Sequence, residues 1–176
     1  SCVRANLIMM KLLVRQGSYR EAGSQCLKVF EQNPEFGPEA IDRLMKLEHE
    51  HGDIGRLAKK LRKLYENYPS TSLLLALVES VERASGRPAA IDLLRQELET
   101  RPSVRGLLRL VEMAGYEKGM TTDEARLVSR IGHLILANRP VYRCVSCGFS
   151  GRQLHWLCPS CKQWETVRPI QGVEAE

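Results

Sequence analysis

Cys144-Val145-Ser146-Cys147-Gly148 and Cys158-Pro159-Ser160-Cys161 are two Cys-x-x-Cys units with ten residues between Cys147 and Cys158. Each unit can close a tight turn in which both sulfurs point at one ion, while backbone N–H groups of the turn hydrogen-bond to the thiolates and offset their charge. Two such turns complete a four-sulfur site, and soft thiolates in that arrangement suit zinc or iron. Cys144, Cys147, Cys158 and Cys161 are therefore the expected ligands of one zinc or iron ion. The segment 140–176 has only 37 residues, fewer than the ~40 below which a fold usually needs a staple, so the ion is expected to serve as its core.

Working outward from the knuckles, Val141–Arg143, Gln153–Leu157 and Trp164–Arg168 alternate enough to predict three short antiparallel strands. With two cysteine turns this is a zinc-ribbon shape. His155 lies between the knuckles, but four thiolates already close a structural site and leave it no role as a ligand. Trp156 and Trp164 are expected to pack over the metal module or against the preceding helices rather than stack on bases. They are also the aromatic candidates for a partner contact. The remaining cysteines, Cys2 and Cys26, lie far away in helical sequence. Cys26 falls on an apolar helix face and reads as a small core residue. Clustered Cys-x-x-Cys pairs without an export signal point to a metal in a reducing compartment, not to a disulfide framework.

Upstream the chain keeps a beat. Proline marks helix ends at Asn33-Pro34, Tyr68-Pro69 and Arg101-Pro102, and Pro140 follows; the intervals are 35, 33 and 38 residues. Gly17, Gly52 and Gly86 recur at intervals of 35 and 34. Each unit reads helix, glycine turn, helix, proline, which is the period of a tetratricopeptide repeat. The small residue of the second helix is present as Ala22 and Ala90, with Leu57 in the middle unit. Apolar residues at helical spacing support the helices: Leu7, Met10 and Val14; Ile91, Leu94 and Leu98; Val104, Leu107, Leu108 and Val111; and Leu127, Ile131, Leu134 and Ile135. The last pair follows a longer connection, Gly115 to Thr122. There Thr121 with Glu124 resembles a capping box that restarts a helix near Asp123, predicting a degenerate terminal repeat that caps the stack. The expected fold is mostly α, with tetratricopeptide-type helical hairpins over 1–139 and a small ribbon module over 140–176.

Arg56, Lys59, Lys60 and Lys63 fall at i, i+3, i+4 and i+7 opposite Leu57, Leu61 and Leu64. This face is either a solvated surface or a patch for an acidic protein or anionic lipid headgroups. The whole chain is unremarkable in composition, with 176 residues, 43% hydrophobic and 27% charged, which excludes collagen-like and disordered classes. Its formal charge of +5 permits an acidic partner without demanding one. The longest apolar run, Leu73 to Val78, is far short of the ~20 residues that span a bilayer. Because Ser1 begins inside what already reads as helix, the chain is expected to be a fragment with its natural start upstream.

No sequence feature supports catalysis. Four cysteines leave no open metal position for water, and no phosphate loop, nucleophile elbow or histidine-bearing metal motif is present. His49 and His51, at i and i+2, point to different sides of a helix. His133 reads as structural. Nucleic-acid binding is weakened by the ribbon's charge: Arg143, Arg152, Lys162 and Arg168 stand against Glu165, Glu174 and Glu176.

The motifs Tyr142-Arg143-Cys144-x-x-Cys147-Gly148-Phe149, Trp156-x-Cys158-Pro159-Ser160-Cys161-x-x-Trp164 and Pro169-Ile170-x-Gly172, following such repeats, resemble the lipopolysaccharide assembly protein B family. That resemblance covers the whole chain as the C-terminal part of the family's proteins. It implies a rubredoxin-like module with iron or zinc at Cys144, Cys147, Cys158 and Cys161. It also implies an upstream membrane helix, missing here, that holds the repeats on the cytoplasmic face of the inner membrane of Gram-negative bacteria. The implied role is that of an adaptor which restrains lipopolysaccharide synthesis by helping the protease FtsH degrade the deacetylase LpxC. An inner-membrane regulator that senses lipopolysaccharide is a further implied partner. The alternatives are a nucleic-acid-binding ribbon and a rubredoxin-like electron carrier. Against the latter, the knuckles are closer in sequence than in electron-carrying rubredoxins, and Lys162 stands where the family places a second glycine. Only Asn138 to Pro140 separate the last helix from the ribbon, which predicts a rigid connection.

Overall fold

The computed structural model describes residues 2–51, 54–114, 122–137 and 139–170, with the backbone alone for 47–51, 54–56, 122 and 124. Among the described residues there are eight α-helices followed by a three-stranded antiparallel sheet. The helices are α1 (Val3–Arg15), α2 (Tyr19–Gln32), α3 (Gly37–His51), α4 (Ile54–Asn67), α5 (Thr71–Ser85), α6 (Arg87–Thr100), α7 (Val104–Ala114) and α8 (Thr122–Ala137). The strands are β1 (Tyr142–Cys144), β2 (Ser150–Gly151) and β3 (Val167–Pro169), in the order β2-β1-β3. The predicted class, helical hairpins followed by a ribbon, is the observed one. The chain divides into two compact units, Ser1–Ala90 and Ile91–Glu176.

Local chemistry explains the helix ends in the first unit. After α1, Ser18 N–H bonds to Leu13 O at 2.9 Å and Gly17 N–H to Val14 O at 3.1 Å, with Gly17 at φ +76°. This pair of bonds satisfies carbonyls that the helix leaves open, and it needs a residue free to turn left-handed. α2 stops at Asn33, whose backbone is extended and whose Oδ1 accepts from Glu35 N–H at 3.0 Å, opening the short 3-10 turn Pro34–Phe36. Ser70 caps α5 by accepting from Leu73 N–H at 3.3 Å. The prolines of the repeat thus sit between helices, where their missing N–H costs nothing. The Gly52 turn lies outside the described residues.

The stripes of the first unit are buried, except that Val14 of α1 and Leu64 of α4 are half-buried. Leu7 and Met10 of α1, Val29 and Phe30 of α2, Leu44 of α3, Leu57 and Leu61 of α4, and Leu73, Leu77 and Val78 of α5 form its core. Each fully buried aliphatic or aromatic side chain contributes about 1.5–3 kcal/mol of hydrophobic stabilisation. Ala22 is completely buried too, as the repeat's small position requires for close helix approach. Cys26 lies in the same core and donates to Ala40 O at 3.2 Å; burial pushes its thiol up to about 12, so it is an inert packing group. Arg43 ties α3 to α1 through a 2.9 Å bond from Nη1 to Leu7 O.

The second unit departs from expectation. On α8 the predicted stripe Leu127, Ile131, Leu134 and Ile135 is 46–61% exposed, and Val128 is exposed beside it. α8 instead meets α7 through small residues. Ala125 is buried, Ser129 donates to Glu112 Oε1 at 3.1 Å, and Gly132 approaches Leu108 so closely that an added β-carbon would collide with it. Val104 and Leu107 of α7 are likewise exposed, and of the predicted α7 stripe only Leu108 is buried. Small side chains win because they let two helices approach, whereas a stripe is buried only where a second layer covers it. The helix begins at Thr122, one residue earlier than predicted; the proposed Thr121 cap lies outside the described residues.

In the ribbon, β1 overlaps its predicted stretch with a shift of one residue, whereas the other two strands shift further. β2 forms at Ser150–Gly151 and β3 at Val167–Pro169, where it pairs with β1, and Gln153–Leu157 and Trp164–Arg168 meet through an isolated Leu157–Trp164 bridge. The registers pair Arg143 with both Ser150 and Arg168, and Cys144 with Val167. The cysteine turns claim the intervening backbone, so pairing is confined to where the chain enters and leaves them.

Candidate metal centre

The two knuckles are near copies. Gly148 N–H bonds to Cys144 O at 3.0 Å and Lys162 N–H to Cys158 O at 3.1 Å; Cys144 N–H bonds to Phe149 O at 2.7 Å and Cys158 N–H to Gln163 O at 3.0 Å. Residues 148 and 162, each following the second cysteine of its unit, both turn left-handed, with φ of +76° and +58°. Glycine does so freely, whereas lysine pays roughly 1–2 kcal/mol for it. Lys162 recovers part of that cost by donating from Nζ to Pro159 O at 2.8 Å. The element shared by the two knuckles is thus the shape of the turn, and Lys162 adopts the shape that a glycine would.

These turns bring Cys144, Cys147, Cys158 and Cys161 together, with all four sulfurs within 4.8 Å of one another. Cys144 and Cys161 lie 3.8 Å apart, and Cys147 and Cys158 lie 3.7 Å apart. Disulfides are excluded by these separations, since an S–S bond is about 2.05 Å long. A tetrahedron with metal–sulfur bonds of about 2.3 Å has edges of about 3.8 Å. The donor set and its spacing therefore fit one ion coordinated by four thiolates.

Electrostatics explain why the cluster calls for a cation. The contact of Cys144 Sγ with Thr166 Oγ1 at 3.2 Å is the largest influence on Cys144; with the backbone N–H groups of Cys147 and Ser146 it outweighs burial and brings the thiol down to about 6. Cys147 is lowered as well, chiefly by the Phe149 N–H. For Cys161 the Gln163 N–H lowers the value, but burial and the sulfurs of Cys147, Cys158 and Cys144 outweigh it and raise the thiol to about 11. Crowded sulfurs cannot all ionise unaided, and a divalent ion removes that conflict. In the thiolate form the Thr166 hydroxyl is the donor to Cys144, an orienting contact that cysteine spacing alone does not reveal.

Around the sulfurs the apolar interior is minimal. Tyr142, Cys144, Cys158 and Val167 are its buried members, and Val141, Phe149 and Leu154 pack on them. His155 sets its ring edge-on to Phe149, centroids 6.1 Å apart, and is not among the clustered donors. Trp156 is half-buried, but Trp164 is 62% exposed, against the expectation that it packs over the module. A module centred on four sulfurs has too little interior to cover a second indole.

Of the basic face on α4, Lys59, Lys60 and Lys63 are exposed opposite buried Leu57 and Leu61; the side chain of Arg56 lies outside the described residues. The structure separates the three lysines: Lys60 and Lys63 border a cleft against α2, and Lys59 does not. His133 binds Glu112 Oε1 at 2.9 Å, the structural role expected of it. The side chains of His49 and His51 lie outside the described residues. Among those described, no helix is long and apolar enough to cross a membrane.

Residues 142–169 match the family model of the rubredoxin metal binding domain. Over 99% of its length the chain is 30% identical to lipopolysaccharide assembly protein B of Haemophilus influenzae. Over 97% it is 25% identical to the protein of that name from Escherichia coli K12. The chain spans 44% of the length of each of these relatives. The likeness that the cysteine motifs suggested therefore extends through the helices: over nearly its whole length the chain is similar to lipopolysaccharide assembly protein B, and its ribbon matches the rubredoxin metal-binding domain.

Proposed function

We propose that the chain is a non-catalytic docking platform of lipopolysaccharide assembly: helical hairpins over 1–139 hold protein partners, and a metal-stapled module over 140–176 completes the surface. The observation that carries this reading is the closed four-sulfur cluster. With Cys144, Cys147, Cys158 and Cys161 all on the ion, no position remains for water or substrate, so the metal acts as structural glue. Zinc fits that role best, because it holds four thiolates without redox change. The relatives' name supports a place in lipopolysaccharide assembly; within it our reading is that the platform restrains lipopolysaccharide synthesis at the cytoplasmic face of the inner membrane, presenting the deacetylase LpxC to the protease FtsH and answering to an inner-membrane regulator. Exposed Trp164 and the lysine face of α4 are its contact surfaces.

A reconstituted degradation assay tests this reading. Cys144→Ser or Cys158→Ser is expected to abolish client delivery although neither side chain touches the client. Full activity in either variant would overturn the proposal, as would turnover of a substrate by the chain alone. Elemental analysis is expected to find one zinc per chain, and a ferric-thiolate colour in the purified protein would instead favour electron transfer.

A further inference from the structure

α4 is the most basic segment of the first unit: Arg56, Lys59, Lys60, Arg62 and Lys63 stand against Glu66 alone. Among the described residues Lys59, Arg62 and Lys63 take part in no ion pair. One part of that surface is concave. Lys60, Lys63, Leu64 and Asn67 form one face of α4, and with Leu27 and Glu31 of α2 and Tyr68 they line a cleft of about 410 Å³. Leu27 and Leu64 are half-buried and supply an apolar floor. The Tyr68 ring is tilted against buried Phe30, centroids 6.1 Å apart, which holds the end wall in place.

The geometry points to this cleft as a docking site for an acidic peptide segment that carries an aliphatic side chain. This inference rests on the docking-platform reading and names the chemistry of one ligand. Lys60 and Lys63 match carboxylates at the rim, and Leu27, Leu64 and Tyr68 match one apolar side chain between them. Two acceptors decide between a peptide and a lipid headgroup. Asn67 donates from Nδ2 to Lys63 O at 2.8 Å, which leaves its Oδ1 directed away from that bond, and Glu31 adds a carboxylate. A peptide brings backbone N–H groups to such acceptors, which offsets the repulsion between Glu31 and its carboxylates; a phosphodiester group brings none.

The test is fluorescence anisotropy with the chain and a fluorescein-labelled peptide alternating glutamate and leucine. Binding is expected to weaken about ten-fold between about 50 and 300 mM salt. Lys60→Glu with Lys63→Glu is expected to weaken it by at least about ten-fold, and Tyr68→Ala by less. Arg62→Glu removes the same charge as Lys63→Glu from the same exposed helix but outside the cleft, and is expected to have little effect. Equal losses for Arg62→Glu and Lys63→Glu would overturn the site in favour of diffuse attraction. Equal binding of a glutamate–serine peptide would overturn the apolar anchor. Capture of phosphatidylglycerol vesicles with no binding of the peptide would reassign the face to lipid. Because peptide binding is read without protease or client, its failure alongside intact client delivery would remove this cleft and leave the platform standing.

Discussion

Helices α1 to α5 and the α7–α8 pair carry apolar stripes of the same period, yet only the first set buries them. Leu61 of α4 is wholly buried, whereas Ile131 of α8, an equally clear stripe residue, is 46% exposed. Each of α2 to α5 in the first unit has neighbours on two sides, and its large side chains fill the space between. α8 meets α7 through Ala125, Ser129 and Gly132, a contact for which small residues suffice. A stripe therefore identifies a face that can be buried; a second layer determines whether it is. The ribbon is a third case, in which sulfur replaces hydrocarbon as the centre of the fold.

The contrast can be broken most severely at the ribbon. Chelation of the ion, or Cys158→Ser, is expected to remove about 10–16 kcal/mol of apparent folding energy from that module. Amide exchange should then lose protection in β1 to β3 while α1 to α5 stay protected. Loss of protection throughout would show that the helices depend on the metal as well. Next in size is Leu61→Ala, expected to cost about 2–5 kcal/mol in denaturant unfolding of the first unit because a fully buried side chain leaves a cavity.

Gly132→Val should cost about 1–3 kcal/mol by forcing α8 away from Leu108. Leu108→Ala in the same chain should recover part of that loss, so the two changes are not additive; strict additivity would mean the helices do not meet there.

A smaller effect is expected from acid. Burial raises the Glu112 carboxyl, but hydrogen bonds from His133 and Ser129 and the charges of His133 and Arg109 outweigh it and hold the group below its ordinary value. A carboxyl depressed in the folded state stabilises it above the unfolded pKa, and that contribution disappears as pH falls through the folded value. The α7–α8 contact should therefore weaken below about pH 4, by under about 1 kcal/mol for so exposed a group, and Glu112→Gln should abolish the dependence. An unchanged pH profile in that variant would remove the clamp. The smallest effect belongs to Ile131→Ser, expected to shift stability by no more than about 0.5 kcal/mol because the side chain is exposed. A loss as large as that of Leu61→Ala would show that α8 is covered in solution.

Much of this molecule was legible in the sequence for identifiable reasons. The proline and glycine beat marked the helical hairpins because proline lacks the N–H a helix interior needs and glycine accepts the left-handed turn. The position of Cys26 within an apolar stripe foretold its burial. The misreadings have equally physical causes. Strand limits shifted because the cysteine turns take their backbone bonds first. Trp164 was placed under cover on the strength of its apolar ring, although the module has no room beneath it. Thr166, Glu112 and the Leu27–Tyr68 cleft went unnoticed because each works through residues distant in the chain.

Spacing alone determined that four thiols would be available for one ion, and periodicity alone determined that paired helices would precede them. Both are properties of local covalent geometry. Which faces of those helices would be covered, which two lysines would border a cleft and which sulfur would face a hydroxyl were decided only by tertiary packing. Those outcomes depend on what a distant part of the chain brings within contact distance.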